Sequence, residues 1–408
     1  MISDFTDICF DSRRVTNGAL FVAIPSSGER YVSDALSRGA AAVMRFTDET
    51  QAREVLARFS AKMFGEPQRS LVLIGVTGTN GKTTITTLAK QVYERVTGKK
   101  AALFGTIRNL IGDEEIPAVN TTPESRDLYE LLAKARDAGC DTVFMEVSSH
   151  ALELRRVAGL NFAVGVLTNL THDHIDFHKT TDAYLEAKLR LFEVSGVCLC
   201  DRRVAERYAI PGSPILYDGS DNREAVRLIC AALNLNPAQC EVALANCVPP
   251  KGRMEIVDTP GLDATVVIDY AHTPDGLEHV LTEARQQFSG CSRLTVLFGC
   301  GGNRDKTKRP IMGGIAVRLS DRAIITSDNP RTESPTDIIA DIVGDNRCPR
   351  PNDTVIENRI EAIEYALSTA IPNEVIILAG KGHEDYQILG NEKIHLDERE
   401  IIRRFLDK

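Results

Sequence analysis

VTGTNGKTT, Val76–Thr84, is the stretch on which the reading of this chain turns. It follows an apolar run, LVLIGV (71–76), and precedes a segment with Ile85, Leu88, Ala89, Val92 and Val96 at helical spacing. A strand, a glycine-rich turn and a helix in that order suit an anion. The first amides of a helix have no partners within it and carry the positive end of its dipole. The common phosphate-loop spelling, G-x-x-x-x-G-K-[ST], needs a glycine at position 76. This chain has Val76 there, with glycines at 75, 78 and 81. Lys82 can reach the outer phosphates of a nucleotide, and the Thr83 hydroxyl can hold Mg2+. The competing reading is a plain strand-to-helix turn with an exposed lysine. Glycine, lysine and hydroxyl together after a strand favour the phosphate loop.

The same alternation continues outward. DTVFMEV (141–147), FAVGVLTNL (162–170), TVVIDYA (265–271), RLTVLFG (293–299), RAIITS (322–327) and EVIILAG (374–380) read as buried strands separated by helical patterns. This predicts an α/β fold with parallel sheets covered by helices. At 408 residues the chain exceeds one compact core. Breaks at the turn-rich GEPQRS and at VPPKGR predict three parts, residues 1–68, 69–250 and 251–408. The first holds strand-like FVAI and AAAVM. No internal repeat or low-complexity segment is visible.

The hydrophobic fraction of 43% is that of a soluble globular protein. A net charge of −9 offers no footprint for nucleic acid or an anionic membrane. MISDFTDICF, with two aspartates and no basic residue, does not read as a secretory signal. No apolar run reaches a membrane span. The ten cysteines include no CxxC pair and are expected to be reduced, buried thiols, with Cys198 and Cys200 on one face of a strand. THDHIDFH (171–178) concentrates histidines and aspartates as a zinc site would, but alternation divides them between faces. Glu146 ends a buried strand, where an unpaired carboxylate is costly. Beside a phosphate loop it is a natural Mg2+ ligand, and a structural salt bridge is the alternative.

GVTGTNGKTT (75–84) resembles the ATP loop of the Mur ligases. Further motifs follow in the order seen in the MurE branch of that family: NTTPES (120–125), MEVSSHALELRRV (145–157), TNLTHDHIDFH (168–178) and YLEAKLRLF (184–192). The last third supplies GRME (252–255), DYAHTPD (269–275), FGCGGNRDKTKRP (298–310), SDNPRTESP (327–335) and AGKGHEDYQ (379–387). DSRRVTNGALFVAI (11–24) resembles the branch's uridine-nucleotide domain. The resemblance implies three domains: one for the UDP-substrate, a phosphate-loop parallel-sheet centre, and a Rossmann-like C-terminal domain for the amino acid. It implies an ATP-dependent amide ligase of peptidoglycan precursor synthesis, cytoplasmic and monomeric, without nucleic acid or membrane partners. Such an enzyme joins meso-diaminopimelate to the D-glutamate of a UDP-MurNAc-dipeptide through an acyl-phosphate.

Site residues carry over by motif. The ATP set is Gly78, Thr79, Asn80, Gly81, Lys82, Thr83 and Thr84, completed by His272, Arg304 and Asp305. The Mg2+ set is Thr83, Glu146, His174 and Lys188, with Lys188 carbamylated by CO2 into an anionic oxygen ligand. Lys82, Glu146, His174 and Lys188 are the expected catalytic residues. Read from spacing alone, Lys188 is a helix lysine, and only the resemblance makes it functional. The UDP-substrate set is Ser12, Asn120, Thr121, Thr122, Ser148 and Arg156, which are hydroxyls, an amide and a guanidinium suited to phosphate and carboxylate oxygens.

For the amino acid, Arg309, Asp328, Asn329, Pro330, Arg331, Gly380 and Glu384 match the branch's contacts. Arg331 can bind the second carboxylate of diaminopimelate through two parallel hydrogen bonds. Lysine lacks that carboxylate and would leave a desolvated guanidinium, at about 3–5 kcal/mol.

The chain departs from the family in two shortened regions. One follows VAIPSSGER. The other lies between LFEVSG and GRME, where the strands before DGSDNREAVRLICAAL (218–233) are expected to be missing. Leu154 stands where some relatives carry glutamine. Two other readings stay open at this stage: a ligase of the same chemistry on a different carboxylate acceptor, and a nucleotide-binding regulator without turnover.

Overall fold

Each apolar run named above forms a strand in the computed structural model, which describes residues 4–171, 173–344 and 350–408 except for the Asp176 side chain. His172 and Cys348, both weighed in the sequence, lie outside the described residues. Contacts divide the chain into two compact units, one of residues up to Leu170 with Asp182–Val248, the other of Thr171–Thr181 with Pro249–Lys408. Thr171–Thr181, expected within the central part, thus groups with the second unit.

In the first unit, Ile8–Cys9, Leu20–Ala23 and Ala42–Arg45 form a small parallel sheet under the helix Glu49–Met63. An eight-stranded sheet follows in the order Ile215–Tyr217, Ser195–Asp201, Phe162–Leu167, Val72–Thr77, Thr142–Glu146, Ala101–Phe104, Arg108–Ile111, Glu114–Pro117. Its first six strands are parallel, and the last two return as antiparallel hairpin strands. Side chains alternate between faces along a strand. Leu73 and Val143 therefore pack with Leu128 and Leu132 of the helix Ser125–Asp137. Ile74, Val76 and Phe144 pack on the other face with Ile85, Ala89 and Val92 of the helix Lys82–Thr97. Burial on both faces is why these strands read as unbroken apolar runs.

The strands expected to be missing before DGSDNREAVRLICAAL are present. Ser195–Asp201 and Ile215–Tyr217 run parallel at the sheet edge before the helix Asn222–Ala232. The outer one has three residues, with Ile215 and Leu216 exposed, so it lacks the apolar run that marks a buried strand.

The second unit carries a six-stranded sheet in the order Glu255–Val257, Ala264–Asp269, Glu374–Ala379, Arg293–Phe298, Arg322–Ile325, Thr354–Val355, parallel except for its first strand. Helices cover both faces. DYAHTPD, AGKGHEDYQ, FGCGGNRDKTKRP and SDNPRTESP all begin at or just after the carboxyl ends of these strands, the edge at which open α/β sheets bind ligands.

The described cysteines are all free. Cys198, Cys247 and Cys291 are partly exposed rather than buried. No described helix is long and apolar enough to cross a membrane.

Candidate active site

Strand register sets the first cluster. Val72–Thr77 pairs with Thr142–Glu146 so that Val76 lies opposite Glu146, and with Phe162–Leu167 so that Thr77 lies opposite Leu167. The phosphate loop therefore leaves the sheet between the ends of two neighbouring strands. Gly81 caps the helix Lys82–Thr97 with φ +84°, and Ile85 N donates to the Gly81 carbonyl at 3.0 Å to begin its ladder. A side chain at Gly78 would collide with the Thr168 hydroxyl, 1.8 Å from where its Cβ would stand. Lys82 folds back over the loop, donating to the carbonyls of Gly78 and Thr79 at 2.8 Å each.

Glu146 is buried, and its carboxylate is fully oriented. Oε2 accepts from the Thr83 hydroxyl at 3.0 Å and the Thr106 hydroxyl at 2.9 Å, and Oε1 accepts from the Thr106 amide at 2.9 Å. Thr83 and Glu146 thus present adjacent hard oxygen donors, the ligand chemistry Mg2+ takes. Thr106 Oγ1 also reaches Thr121 Oγ1 at 3.0 Å.

Lys188 is 1% exposed, with its ammonium 4.2 Å from the centre of the Tyr184 ring. The Tyr184 hydroxyl lies 3.2 Å from Thr79 Oγ1, so this aromatic residue links the lysine to the loop. Neither Thr106 nor Tyr184 was singled out in the sequence. Tyr184 carried a signal, since it precedes Lys188 by four residues on one helix face. Asn222 was also missed as a site neighbour, and its Oδ1 would lie 2.8 Å from a Cβ at Gly81.

Four of the expected UDP-substrate residues, Thr121, Thr122, Ser148 and Arg156, gather beside Glu146. Thr122 Oγ1 donates to the Glu146 carbonyl at 2.9 Å and accepts from the Ser148 amide at 3.0 Å. Arg156 donates to the Thr122 carbonyl at 3.1 Å and pairs with Glu124 at 2.7 Å. Its Nε is buried with no partner, and burial lowers its pKa against the pull of Glu124. Ser12 is buried, and its hydroxyl helps hold the Asp34 carboxyl below the usual range. Two-residue-distant Arg14 is bound to Asp127 at 2.6 and 2.8 Å, which ties this segment to the helix that follows NTTPES. Asn120 is exposed.

The second unit assembles the other set. Lys381, fully buried, contacts Asn329 Oδ1 at 2.7 Å and the carboxylates of Asp328 and Glu384 at 3.1 Å each. Burial works to raise the Asp328 pKa, but Lys381 and then Arg359 outweigh it and hold the carboxyl low. Asn329 Nδ2 donates to Glu384 at 3.0 Å. Gly380 and Pro330 border this network.

The two expected arginines differ sharply. Arg309 is fully buried and occupied, with Asp341 at 2.8 Å, Glu333 at 3.0 Å and the Gly301 carbonyl at 3.3 Å. Arg331 sits at φ +53°, a conformation that non-glycine residues rarely adopt, and donates through Nη1 to the carbonyls of Gly302 and Asn329 at 2.9 and 3.3 Å. Among the described residues no carboxylate pairs with Arg331.

His272 Nδ1 lies 2.8 Å from the Tyr270 carbonyl, and burial, then Lys308, pushes the ring's pKa down. Asp305 Oδ1 accepts from the Thr307 amide and hydroxyl at 2.9 and 2.6 Å, and Arg304 is exposed. His174, expected among the Mg2+ ligands, belongs to this second unit and is exposed, 3.3 Å from Asp173. Among the described residues no group of three histidine, cysteine or carboxylate side chains is arranged to hold a metal. A cavity of about 480 Å3 lies at the opposite end of the helix Lys82–Thr97 from the phosphate loop, lined by Arg95, Val242 and Asn246 among others.

The model of the Mur ligase middle domain matches residues 76–205, and that of the Mur ligase glutamate ligase domain matches residues 252–382. The chain is 37% identical to the UDP-N-acetylmuramoyl-L-alanyl-D-glutamate–2,6-diaminopimelate ligase of Parabacteroides distasonis, over 98% of this chain and 94% of that one. The chain belongs to the Mur ligase family.

A Clostridium acetobutylicum member, of the same name with the suffix 1, is 39% identical over 99% of this chain and 95% of its own. These alignments run 459 and 468 positions against a chain of 408, so both relatives carry segments that this Mur ligase lacks. Among solved structures, a UDP-N-acetylmuramoyl-L-alanyl-D-glutamate–2,6-diaminopimelate ligase superposes with a TM-score of 0.64 at 26% identity, covering 99% of this chain and 95% of that one. MurF from Thermotoga maritima shares the fold, with a TM-score of 0.61 at 16% identity over 100% and 97% of the two chains.

Proposed function

We propose that this chain is the ATP-dependent ligase that adds meso-diaminopimelate to the D-glutamate carboxylate of a UDP-MurNAc-dipeptide, acting as a cytoplasmic monomer in peptidoglycan precursor synthesis. The observation that carries the chemistry is the Thr83–Glu146 contact at the mouth of the phosphate loop. Relatives at 37–39% identity over nearly the whole chain bear the name of that activity. The division into a UDP-substrate domain (1–68), an ATP domain (69–250) and an amino-acid domain (251–408) belongs to the same reading.

Joining a carboxylate to an amine in water needs an activated carboxylate. In the first step a substrate carboxylate oxygen bonds to the γ-phosphorus and the bond to ADP breaks. In the second the amine nitrogen bonds to the acyl carbon, phosphate leaves, and the amine gives up a proton. The chain's part is positioning and charge neutralisation. Lys82 exchanges its two loop carbonyls for phosphate oxygens. The donors Thr106 and Thr83 hold Glu146 in one orientation. Thr83, Glu146, His174 and carbamylated Lys188 are the residues that would hold Mg2+, which neutralises phosphate charge when bound. Carbamylation forms an N–C bond between the Lys188 amine and CO2 and releases a proton.

Arg331 supports the choice of amino acid. A half-buried guanidinium that, among the described residues, donates to two carbonyls and to no carboxylate retains capacity for one, and diaminopimelate supplies it where lysine does not. His272, Arg304 and Asp305 are assigned to ATP, and Ser12, Asn120, Thr121, Thr122, Ser148 and Arg156 to the nucleotide-sugar peptide.

The test is phosphate release from ATP with the UDP-MurNAc-dipeptide and meso-diaminopimelate, L-lysine or no amino acid. Release with diaminopimelate alone, with the tripeptide identified by mass, is the expected result. No release with any of the three, from folded protein that binds ATP, would replace this acceptor with a different carboxylate.

A further inference from the structure

Resting on the reading of residues 78–84 as the nucleotide loop, we infer that Asn169 is a positioning residue that fixes the shape of this loop and leaves the phosphates to the amides beyond it. Asn169 follows the strand Phe162–Leu167 by two residues, and its Oδ1 accepts the backbone amides of both Thr79 and Asn80, at 3.0 and 2.8 Å. A carboxamide oxygen has two lone pairs, so one atom satisfies both donors. The facing N–H groups also decide which way the amide lies, since the reversed orientation would set NH2 against two donors. The Thr79 amide additionally lies 3.2 Å from the Asn169 carbonyl.

The neighbouring residue closes the clamp. Thr168 Oγ1 donates to the Asn80 carbonyl at 2.5 Å and fills the space that a side chain at Gly78 would need. From the other side Tyr184 meets the Thr79 hydroxyl at 3.2 Å. Residues 78–80 are therefore held through their amides, a carbonyl and a side chain before any nucleotide arrives. The helical ladder begins at Ile85 N, so the first-turn amides of Thr83 and Thr84 precede it and are donors placed for phosphate. Holding the loop in advance removes part of the ordering cost from nucleotide binding.

The experiment measures MgADP affinity by calorimetry for the full chain and for Asn169→Ala and Asn169→Asp. Hydrogen exchange over residues 78–84 is followed in the same proteins without nucleotide. Asn169→Ala is expected to weaken ADP by about 10-fold or more, as removal of the partner of two backbone donors predicts, and to speed exchange of the Thr79 and Asn80 amides. Its affinity for meso-diaminopimelate stays that of the parent. Asn169→Asp keeps an acceptor in place, so exchange stays slow, while its charge weakens ADP in a salt-screened manner. Parental ADP affinity in Asn169→Ala overturns the inference. If that variant proves broadly destabilised, fast exchange in Asn169→Asp overturns it instead. A parent chain that binds no ADP overturns the nucleotide reading itself, before any variant is compared.

Discussion

Thr83 and Glu146 stand sixty-three positions apart in the chain and share a 3.0 Å hydrogen bond. The helix beginning at Lys82 and the strand ending at Glu146 thereby meet through two oxygens at the phosphate loop. Thr106 supplies the remaining donors to the carboxylate.

Replacing Glu146 by glutamine keeps the shape and removes the charge. Phosphate release should fall on the order of 10²–10³-fold in kcat, the cost typical of losing one preorganised electrostatic group. Thr106→Val should produce a smaller loss in the same direction, while Thr106→Ser retains the hydroxyl and most of the rate. Steady-state kinetics over a Mg2+ titration would decide, and a near-parental Glu146→Gln would remove this carboxylate from the chemistry.

Arg331→Ala should raise KM for diaminopimelate by about 30-fold or more, since truncating one side of a desolvated charge pair costs about 2–5 kcal/mol. ADP affinity should not move. Equal loss for both ligands would point to collapse of the loop rather than to carboxylate recognition.

A carbamate on Lys188 would show as a carbamate carbon resonance after equilibration with isotopically labelled bicarbonate. The signal should be present in the parent and absent in Lys188→Ala. A parent spectrum without it would leave a buried amine against the Tyr184 ring.

Burial, then Arg253, Arg399, Lys251 and His272, lowers the His383 pKa from 6.5 to about 4. Between those values the unfolded chain binds a proton that the folded chain refuses, so stability falls as pH drops through the window. The parent should lose roughly 2 kcal/mol relative to His383→Gln between neutral pH and about pH 4.5, measured by urea unfolding. Parallel pH profiles of the two proteins would contradict the shift.

Arg359 and Glu398 form a fully buried pair at 2.8 Å, and Arg359 also donates to the Ala379 carbonyl at 2.8 Å. Arg359→Met leaves a buried carboxylate unpaired and should cost about 3–5 kcal/mol, whereas Arg359→Met with Glu398→Leu should recover most of it. Urea titrations of the two variants test this, and a double variant as unstable as the single would assign the loss to packing instead.

The order of strand, glycine loop and helix at Val72–Thr97 was legible because each signal is local: two-sided burial writes an apolar run, and a helix face repeats every three to four residues. The same locality made the C-terminal motifs legible as ends of parallel strands. Lys188 carried no such signal beyond Tyr184 one turn earlier, and the strand Ile215–Tyr217 was too short and exposed to be read. What only the tertiary structure decided are contacts between distant positions. Asn169 reaches amides some ninety residues away, Thr106 reaches Glu146 across forty, and Arg309 is taken up by Glu333 and Asp341 while Arg331 has no carboxylate partner among the described residues. These follow from which strands lie side by side and in what register, because the strand ends set where the loops carrying Thr106 and Asn169 leave the sheet beside Glu146 and the phosphate loop. Local pattern therefore determined the elements and the residue types at their ends, and sheet pairing decided which of those residues meet.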